Sequence, residues 1–517
     1  MRYGGEKSPI PMILVNPPVV KPCEAPAGVA KLAGALKHHR IPCTVLDANL
    51  EGLRSLLKQV PDRKDTWTKV SSRRLAANLE QLTRPEGYEN FDRYKRAVMG
   101  VNRILGTAAR TKGIRLSLAN YTDQNLSPLR SADLIRAWEK PEDNLFYPYF
   151  SQWLLSLLEK HETVGLSLNY LSQALCAFAM AGFLKKQSKN LKVILGGGLV
   201  TSWMSRPDWK NPFEGLVDLM VSGPGEEPLL SLAGVSGKSE PVVPDYEDLP
   251  CKDYFAPGFI LPYSASSGCY WAKCSFCPEN AEGNSFKPAP VQEVVQDLRT
   301  LYESRKPTLI HFLDNALSPA LLKALLGKPP GGPWYGFARI TKDLKDPDFC
   351  DALRRSGCRM LKLGLESGDQ EVLDSLGKGI DLPVASAALK SLKRAGIAAY
   401  VYLLFGTPAE SPEAAERTLD FTVDHSDCID FLNIAIFNMP ARGTDADQFE
   451  TKNFYEGDLS LYREFVHPLG WNRSAVRQFL DKRFKRHPAV AAILRRDPPF
   501  FTSNHAPFFS RPPARPL

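Results

Sequence analysis

The stretch FILPYSASSGCYWAKCSFCPEN, residues 259–280, opens as an apolar strand and runs into a loop holding Cys269, Cys274 and Cys277. Three of the 10 cysteines in a 517-residue chain thus lie between 269 and 277, interleaved with Tyr270, Trp271 and Phe276. Thiolates are soft ligands, and cysteine clusters in reducing compartments chiefly hold zinc or iron–sulfur groups. Structural zinc usually takes four protein ligands, commonly as two pairs. No second C-x2-C occurs here, and the nearest outside candidates are Cys251 and His311. Three thiolates from one loop fit a four-iron cluster with one iron left free, and a catalytic metal centre needs such an open position.

Working outward, the strand before the cysteines is the first of a series. FILPYSAS (259–266), TLIHFLDN (308–315), WYGFARI (334–340), RMLKLGLES (359–367), IAAYVYLLFG (397–406) and IDFLNIAIFN (429–438) all read as strands. Helical stretches such as PVQEVVQDLRTLYESR, PDFCDALRRSG and LPVASAALKSLKRAG separate them. This alternation over 259–440 predicts a partial (β/α)6 barrel with functional groups on the loops after the strands. The three-cysteine loop then opens at the functional end.

Upstream, MILVN (12–16), CTVLD (43–47), TVGLSL (163–168), KVILGGG (192–198) and DLMVSGPGEE (218–227) alternate with helical patterns such as AGVAKLAGALKHH (27–39). They predict a doubly wound, Rossmann-like α/β domain over 1–240, interrupted by a mostly helical insertion at about 51–160. Asn16, Asp47, Asn169, the run Gly196-Gly197-Gly198 and Gly223 follow these strands. In such a sheet they line a ligand crevice at the strand carboxyl ends. A Pro-rich acidic link over 241–258 joins the two patterns. Residues 441–517 read as a helical segment ending in the tail FFTSNHAPFFSRPPARPL.

A length of 517 residues predicts more than one core. With 44% hydrophobic and 24% charged residues the composition is that of a soluble globular protein. No apolar run reaches the ~20 residues of a membrane span, and the start MRYGGEKSPIPM carries no apolar leader segment. A reducing cytoplasm is therefore expected, without a disulfide framework. The net charge of +8 is accounted for by solvated helix faces, and nucleic-acid binding is not expected.

The cysteine loop within a βα repeat resembles the radical S-adenosylmethionine (SAM) superfamily, in particular members with an N-terminal cobalamin-binding-like domain. The family's common spacing is C-x3-C-x2-C; this chain has C-x4-C-x2-C in the form GCYWAKCSFC. The resemblance implies that Cys269, Cys274 and Cys277 hold a [4Fe–4S] cluster and that SAM chelates the free iron. Reductive cleavage of SAM would then give a 5′-deoxyadenosyl radical. It further implies a place near the adenine for Phe276 and polar contacts to SAM from Asp314, Asn315, Arg339 and Glu366. Gly406 falls in the stretch LFGTPAES, similar to the family's G-x-P-x-E turn. Each of these has an ordinary structural alternative, such as a helix cap at Asp314 or a Glu366–Arg339 ion pair.

The stretches LSLNYLSQ, VILGGG and VSGPGEEPLL are similar to the cobalamin-binding layout, which implies corrinoid contacts from Asn16, Asn169, Gly196, Gly197, Gly198 and Gly223. The D-x-H-x-x-G motif that supplies histidine to cobalt is absent, since none of the 8 histidines has an aspartate two residues earlier. Many relatives lack that motif and still bind cobalamin. The implied activity is cobalamin-dependent methylation of an unactivated carbon or phosphorus, supported by a reductant such as flavodoxin or ferredoxin. A cobalamin-independent rearrangement or cyclisation is the alternative, followed by a non-catalytic zinc- or nucleic-acid-binding protein. No motif names the substrate.

Overall fold

The computed structural model describes residues 11–59, 65–158, 161–235, 242–442, 448–499 and 505–509. The chain divides into two compact units, one of residues 1–83, 92–255 and 456–460, the other of 84–91, 256–455 and 461–517.

In the first unit, strand β1 (Met12–Val15) is buried at every position, as expected of an interior strand in a parallel sheet. It pairs in parallel with β2 (Cys43–Leu46) on one side and β3 (Thr163–Ser167) on the other. Strands β4 (Lys192–Gly196) and β5 (Leu219–Met220) complete the order β2-β1-β3-β4-β5. The order reverses between β1 and β3, the kind of switch beyond whose strand ends ligands bind. Helix α1 (Ala27–His38) makes the first crossover. Between β2 and β3 the chain is mostly helical, with one short hairpin of Ile114–Leu116 and Tyr121–Asp123. The helix Leu171–Gln187 packs against both β4 and the inserted helices, so its residues 173–184 are buried on every side.

The second unit holds six parallel strands in sequential order: β6 (Ile260–Tyr263), β7 (Leu309–Phe312), β8 (Trp334–Ala338), β9 (Cys358–Glu366), β10 (Ala398–Phe405) and β11 (Phe431–Ile436). Sequential parallel neighbours joined by helices form the wall of a partial barrel. Ile260, Leu309, Ala398 and Phe431, each the first residue of its strand, pack with Met360, Tyr335 and Tyr400 at the barrel's amino end. Ala506 completes this cluster, and the His505 ring lies 4.3 Å from Tyr400. A late segment of the chain thus plugs the barrel floor.

Residues 441–517 differ from the helical expectation. Tyr462–Phe465 pairs antiparallel with both Met439–Pro440 and Thr451–Asn453, and helices begin only at Arg473. Runs of two to four residues are too short for a period-2 signal to stand out in sequence. Among the described residues no helix is long and apolar enough to cross a membrane.

Candidate functional site

After β6 the chain makes the three-cysteine loop. Gly268 has φ +70°, and a Cβ there would sit 2.5 Å from the Ser285 carbonyl, so glycine is required. Cys274 is buried, while Cys269 and Cys277 are partly buried. Cys277 leads into the short helix Pro278–Ala281.

Two clamps hold this loop. At its stem, the Asp314 carboxylate accepts from the Ala265 amide (3.0 Å) and from the Ser266 hydroxyl. The Asn315 amide reaches the Gly268 carbonyl at 3.5 Å. Burial pushes the Asp314 carboxyl up in pKa, with these donors opposing the shift. The second clamp is the segment 376–379, downstream of β9. The Leu376 carbonyl accepts from Ser275, and the Gly377 carbonyl accepts from the Trp271 indole at 2.8 Å. Gly379 lies so close that a Cβ would sit 2.2 Å from the Trp271 ring. A Gly379→Val substitution should displace Trp271 and lower iron retained after reconstitution by about tenfold, while far-UV circular dichroism stays unchanged. Full iron retention would show that this clamp does not matter to the loop.

Charged side chains ring the thiols. The Arg339 guanidinium stacks 4.1 Å over Trp271, donates to the Lys378 carbonyl and stands 3.9 Å from the Cys274 sulfur. Glu366 pairs with Lys378 at 2.7 Å, both largely buried, so Lys378 and not Arg339 is its partner. Glu366 has φ +71° at an irregularity in the β9–β10 register, a strained conformation for a residue with a Cβ. Lys378 also lies 5.4 Å from the Phe276 ring, which itself packs against Val372, Leu376 and Ala414. Burial pushes the Cys274 thiol up, with Lys378 and Arg339 pulling it back. Trp271 and Lys378 were not singled out as site residues by the sequence, which offers only their closeness to the cysteines and to Glu366.

The Gly406 turn after β10 is built on Glu410. Gly406 has φ +77°, and its amide and the Trp471 indole (2.8 Å) both donate to one Glu410 oxygen. Glu410 is fully buried, and burial pushes its carboxyl up to about 7. Gly406 therefore serves a turn of its own, and no hydrogen bond joins it to the cysteine loop among the described residues.

Among the described residues no three His, Cys, Asp or Glu side chains converge tightly enough to hold one metal ion. The convergent donor set of a structural zinc is thus not what the loop presents. A four-iron cluster makes a different demand, because each thiolate takes its own iron and the sulfurs need not meet at a point. Three thiols beside two cations fit that demand.

In the first unit, Asn169, Gly196, Gly197 and Gly223 line a cavity of about 230 Å³. Its floor and walls are apolar, with Leu14, Val29 and Ile194 among them, and Gly28 from α1 also faces it. A Cβ on Gly28 or Gly223 would meet nothing within 4 Å, so their missing side chains leave open space. Gly198 stands beside the rim, its amide donating to Asn169 Oδ1 at 2.9 Å. At the same rim Lys31 pairs with Glu226 at 2.6 Å, two residues with no sequence signal beyond their charge. Asn16 does not line this cavity. It is buried, donates to Asp47 (2.9 Å) and accepts from Gln173 (3.1 Å), which ties it into an internal network. Asp47 in turn accepts from the Tyr254 hydroxyl at 2.7 Å.

A cysteine loop at the carboxyl end of the first strand of a parallel partial barrel defines a recognisable class. Residues 263–422 match the family model of the Radical SAM superfamily. The chain is 25% identical, over 47% of its own length and 60% of the other's, to an uncharacterized methyltransferase of Pyrococcus horikoshii. It is 28% identical to bacteriochlorophyllide d C-12(1)-methyltransferase of Chlorobaculum tepidum, over 32% of this chain and 38% of that one. It therefore spans less than two thirds of either relative. Among solved structures, the cobalamin-dependent SAM radical enzyme OxsB, with aqua-cobalamin bound, matches with a TM-score of 0.51 at 14% identity, over 81% of this chain and 52% of that one. The radical SAM methyltransferase TsrM from Kitasatospora setae, with cobalamin and a [4Fe–4S] cluster bound, gives 0.51 at 16% identity, over 87% and 78%. At these identities the likeness is one of fold: a doubly wound α/β domain followed by a partial barrel of parallel strands.

Proposed function

We propose that this chain is a radical SAM enzyme that cleaves S-adenosylmethionine at a [4Fe–4S] cluster, and that it is a cobalamin-dependent methyltransferase acting on an unactivated carbon or phosphorus. The observation that carries the reading is the loop of Cys269, Cys274 and Cys277, clasped by residues 376–379 and flanked by Arg339, Lys378 and Glu366. When bound, the cluster supplies the electron for SAM cleavage and the corrinoid carries the methyl group. The three thiols would hold the cluster, with Arg339 beside Cys274 offsetting thiolate charge. Glu366, held in place by Lys378, would accept from a SAM ammonium or hydroxyl. Asp314 and Asn315 would act by positioning the loop stem, since their hydrogen bonds go to residues 265–268.

For the corrinoid, the first-unit cavity has an apolar lining and glycines that leave room, which suits an edge or side arm of a large ligand. No histidine is among the described residues that line it, so these residues would offer a corrinoid no imidazole ligand.

Anaerobic reconstitution with iron and sulfide, then reduction in the presence of SAM, should yield 5′-deoxyadenosine. A fully assembled cluster that yields none would refute the radical reading. Corrinoid uptake, followed by its visible absorption after gel filtration, should reach about one per chain. Cleavage without uptake would select a cobalamin-independent reaction. A flavodoxin or ferredoxin would be the natural reductant.

A further inference from the structure

We propose that Trp271 is a positioning residue: its indole holds the Arg339 guanidinium against the Cys274 sulfur and so makes the cluster easier to reduce. The inference rests on the proposed function in taking the three thiols as the cluster's ligands.

It begins from a buried cation with no acid beside it. Arg339 follows β8 and is 8% exposed. A guanidinium stays charged at any physiological pH, and burying one uncompensated is costly. Glu366 is engaged by Lys378 at 2.7 Å, and among the described residues no carboxylate makes an ion pair with Arg339. Three other groups meet it. The Trp271 ring lies 4.1 Å from the guanidinium centre, the Lys378 carbonyl accepts from one terminal nitrogen, and the Cys274 sulfur stands 3.9 Å from the other. Of these only a thiolate carries a full negative charge, so the sulfur is the counter-charge that this cation has.

Trp271 is itself fixed by the segment that folds over the loop. Its indole N–H donates to the Gly377 carbonyl at 2.8 Å, and the Gly379 backbone lies against the ring with no room for a side chain. Gly377 closes on the neighbouring Lys273 carbonyl, where a Cβ would sit at 2.6 Å. Between Trp271 and Cys274 the chain passes through Ala272 at φ +47°, a left-handed conformation that costs a residue with a Cβ. The loop thus accepts strain at an exposed alanine in the same turn that lays Trp271 against residues 377–379 and buries Cys274. The four residues between Cys269 and Cys274 do more than link two ligands, since they set an aromatic face on the arginine.

The consequence is electrochemical. Positive charge and hydrogen bonds at the ligand sulfurs raise the reduction potential of an iron–sulfur cluster. Reduction adds one electron, and a cation fixed beside Cys274 stabilises the added charge. An arginine side chain has much rotamer freedom to lose, and a tryptophan face is the aromatic surface that best holds a cation. Without that face the guanidinium leaves the sulfur for part of the time, and the potential falls.

The test compares the wild type with Trp271→Leu, Trp271→Phe, Arg339→Met and the double variant of Trp271→Leu with Arg339→Met, each as the reconstituted full chain. The first readout is the midpoint potential, from dithionite titration followed by electron paramagnetic resonance. Trp271→Leu should lower it by about 59 mV, a tenfold change in the one-electron equilibrium, with iron and sulfide content as in the wild type. Trp271→Phe, which keeps a ring face, should recover most of that loss. Arg339→Met should lower the potential at least as far, and adding Trp271→Leu to it should change nothing further. The second readout needs no cluster. In the apo chain, Arg339 should react with phenylglyoxal about tenfold faster in Trp271→Leu than in the wild type, as mapped by mass spectrometry. An unchanged potential in Trp271→Leu, additive shifts in the double variant, or labelling indifferent to the substitution would each overturn the proposal. Should Trp271→Leu not fold, a potential unmoved by Arg339→Met overturns it equally. The expected shifts without 5′-deoxyadenosine from the wild type would refute the radical reading and uphold this one, while a wild type that assembles no cluster would refute both.

Discussion

Cys274→Ala should yield a folded protein that binds no stable cluster and forms no measurable 5′-deoxyadenosine, a loss of about a thousandfold or more, as when a reacting group is removed outright. Of the three thiols this one is the most enclosed, 8% exposed behind Arg339 and Trp271. Solvent thiols therefore have the poorest access to replace it. Two remaining cysteines leave two irons without protein ligands, which a cluster does not survive in a partly exposed loop. The effect should be local, because the loop is held by Asp314 at its stem and by residues 376–379, and neither clamp uses the Cys274 side chain. Iron and sulfide content, absorption near the cluster's charge-transfer band, and product analysis check the expectation. A variant with full iron content and undiminished cleavage would remove the cysteine loop from the mechanism.

The second large effect is on stability and its pH dependence. Burial pushes the folded Glu410 carboxyl up to about 7, well above the ordinary range of a free glutamate. The folded chain therefore holds this proton across a pH range where the unfolded chain has released it. Stability falls as pH rises from the unfolded value to the folded one, and the contribution of the neutral carboxyl is complete only below that window. Both of its partners, the Gly406 amide and the Trp471 indole, are donors to the same oxygen. A glutamine carbonyl satisfies them equally well and does not titrate. Denaturant unfolding of wild type should thus lose about 2.5 kcal/mol relative to Glu410→Gln between pH 5 and pH 9. Parallel pH profiles for the two proteins would contradict the buried neutral carboxyl.

The barrel was legible because its strands are apolar runs closed by glycine, proline or charged residues, and because parallel neighbours follow one another in sequence. The cysteine loop was legible for a chemical reason: three soft ligands at short spacing have few other uses. What surrounds it was harder to see. Lys378 meets Glu366 because residues 376–379 fold back over the cysteine loop, and that return depends on Gly377 and Gly379 fitting against Lys273 and Trp271. No local pattern encodes such a fit. Asn16 has the residue type and strand-end position of a ligand contact, yet Asp47 and Gln173 enclose it, and only three-dimensional neighbours decide that outcome. The antiparallel ladder at 439–465 was hidden for the opposite reason, since its strands are too short to show a period.

The plug at the barrel floor has a consequence for biogenesis. Strands β6 to β11 end at Ile436, whereas the residues that close their amino end lie at 505–509. During synthesis the six strands emerge first and must wait, with Ile260, Leu309 and Phe431 uncovered from below, until the later segment leaves the ribosome. Barrel closure is thus a late event in the life of the nascent chain, and the apolar floor is open to non-native contacts until then.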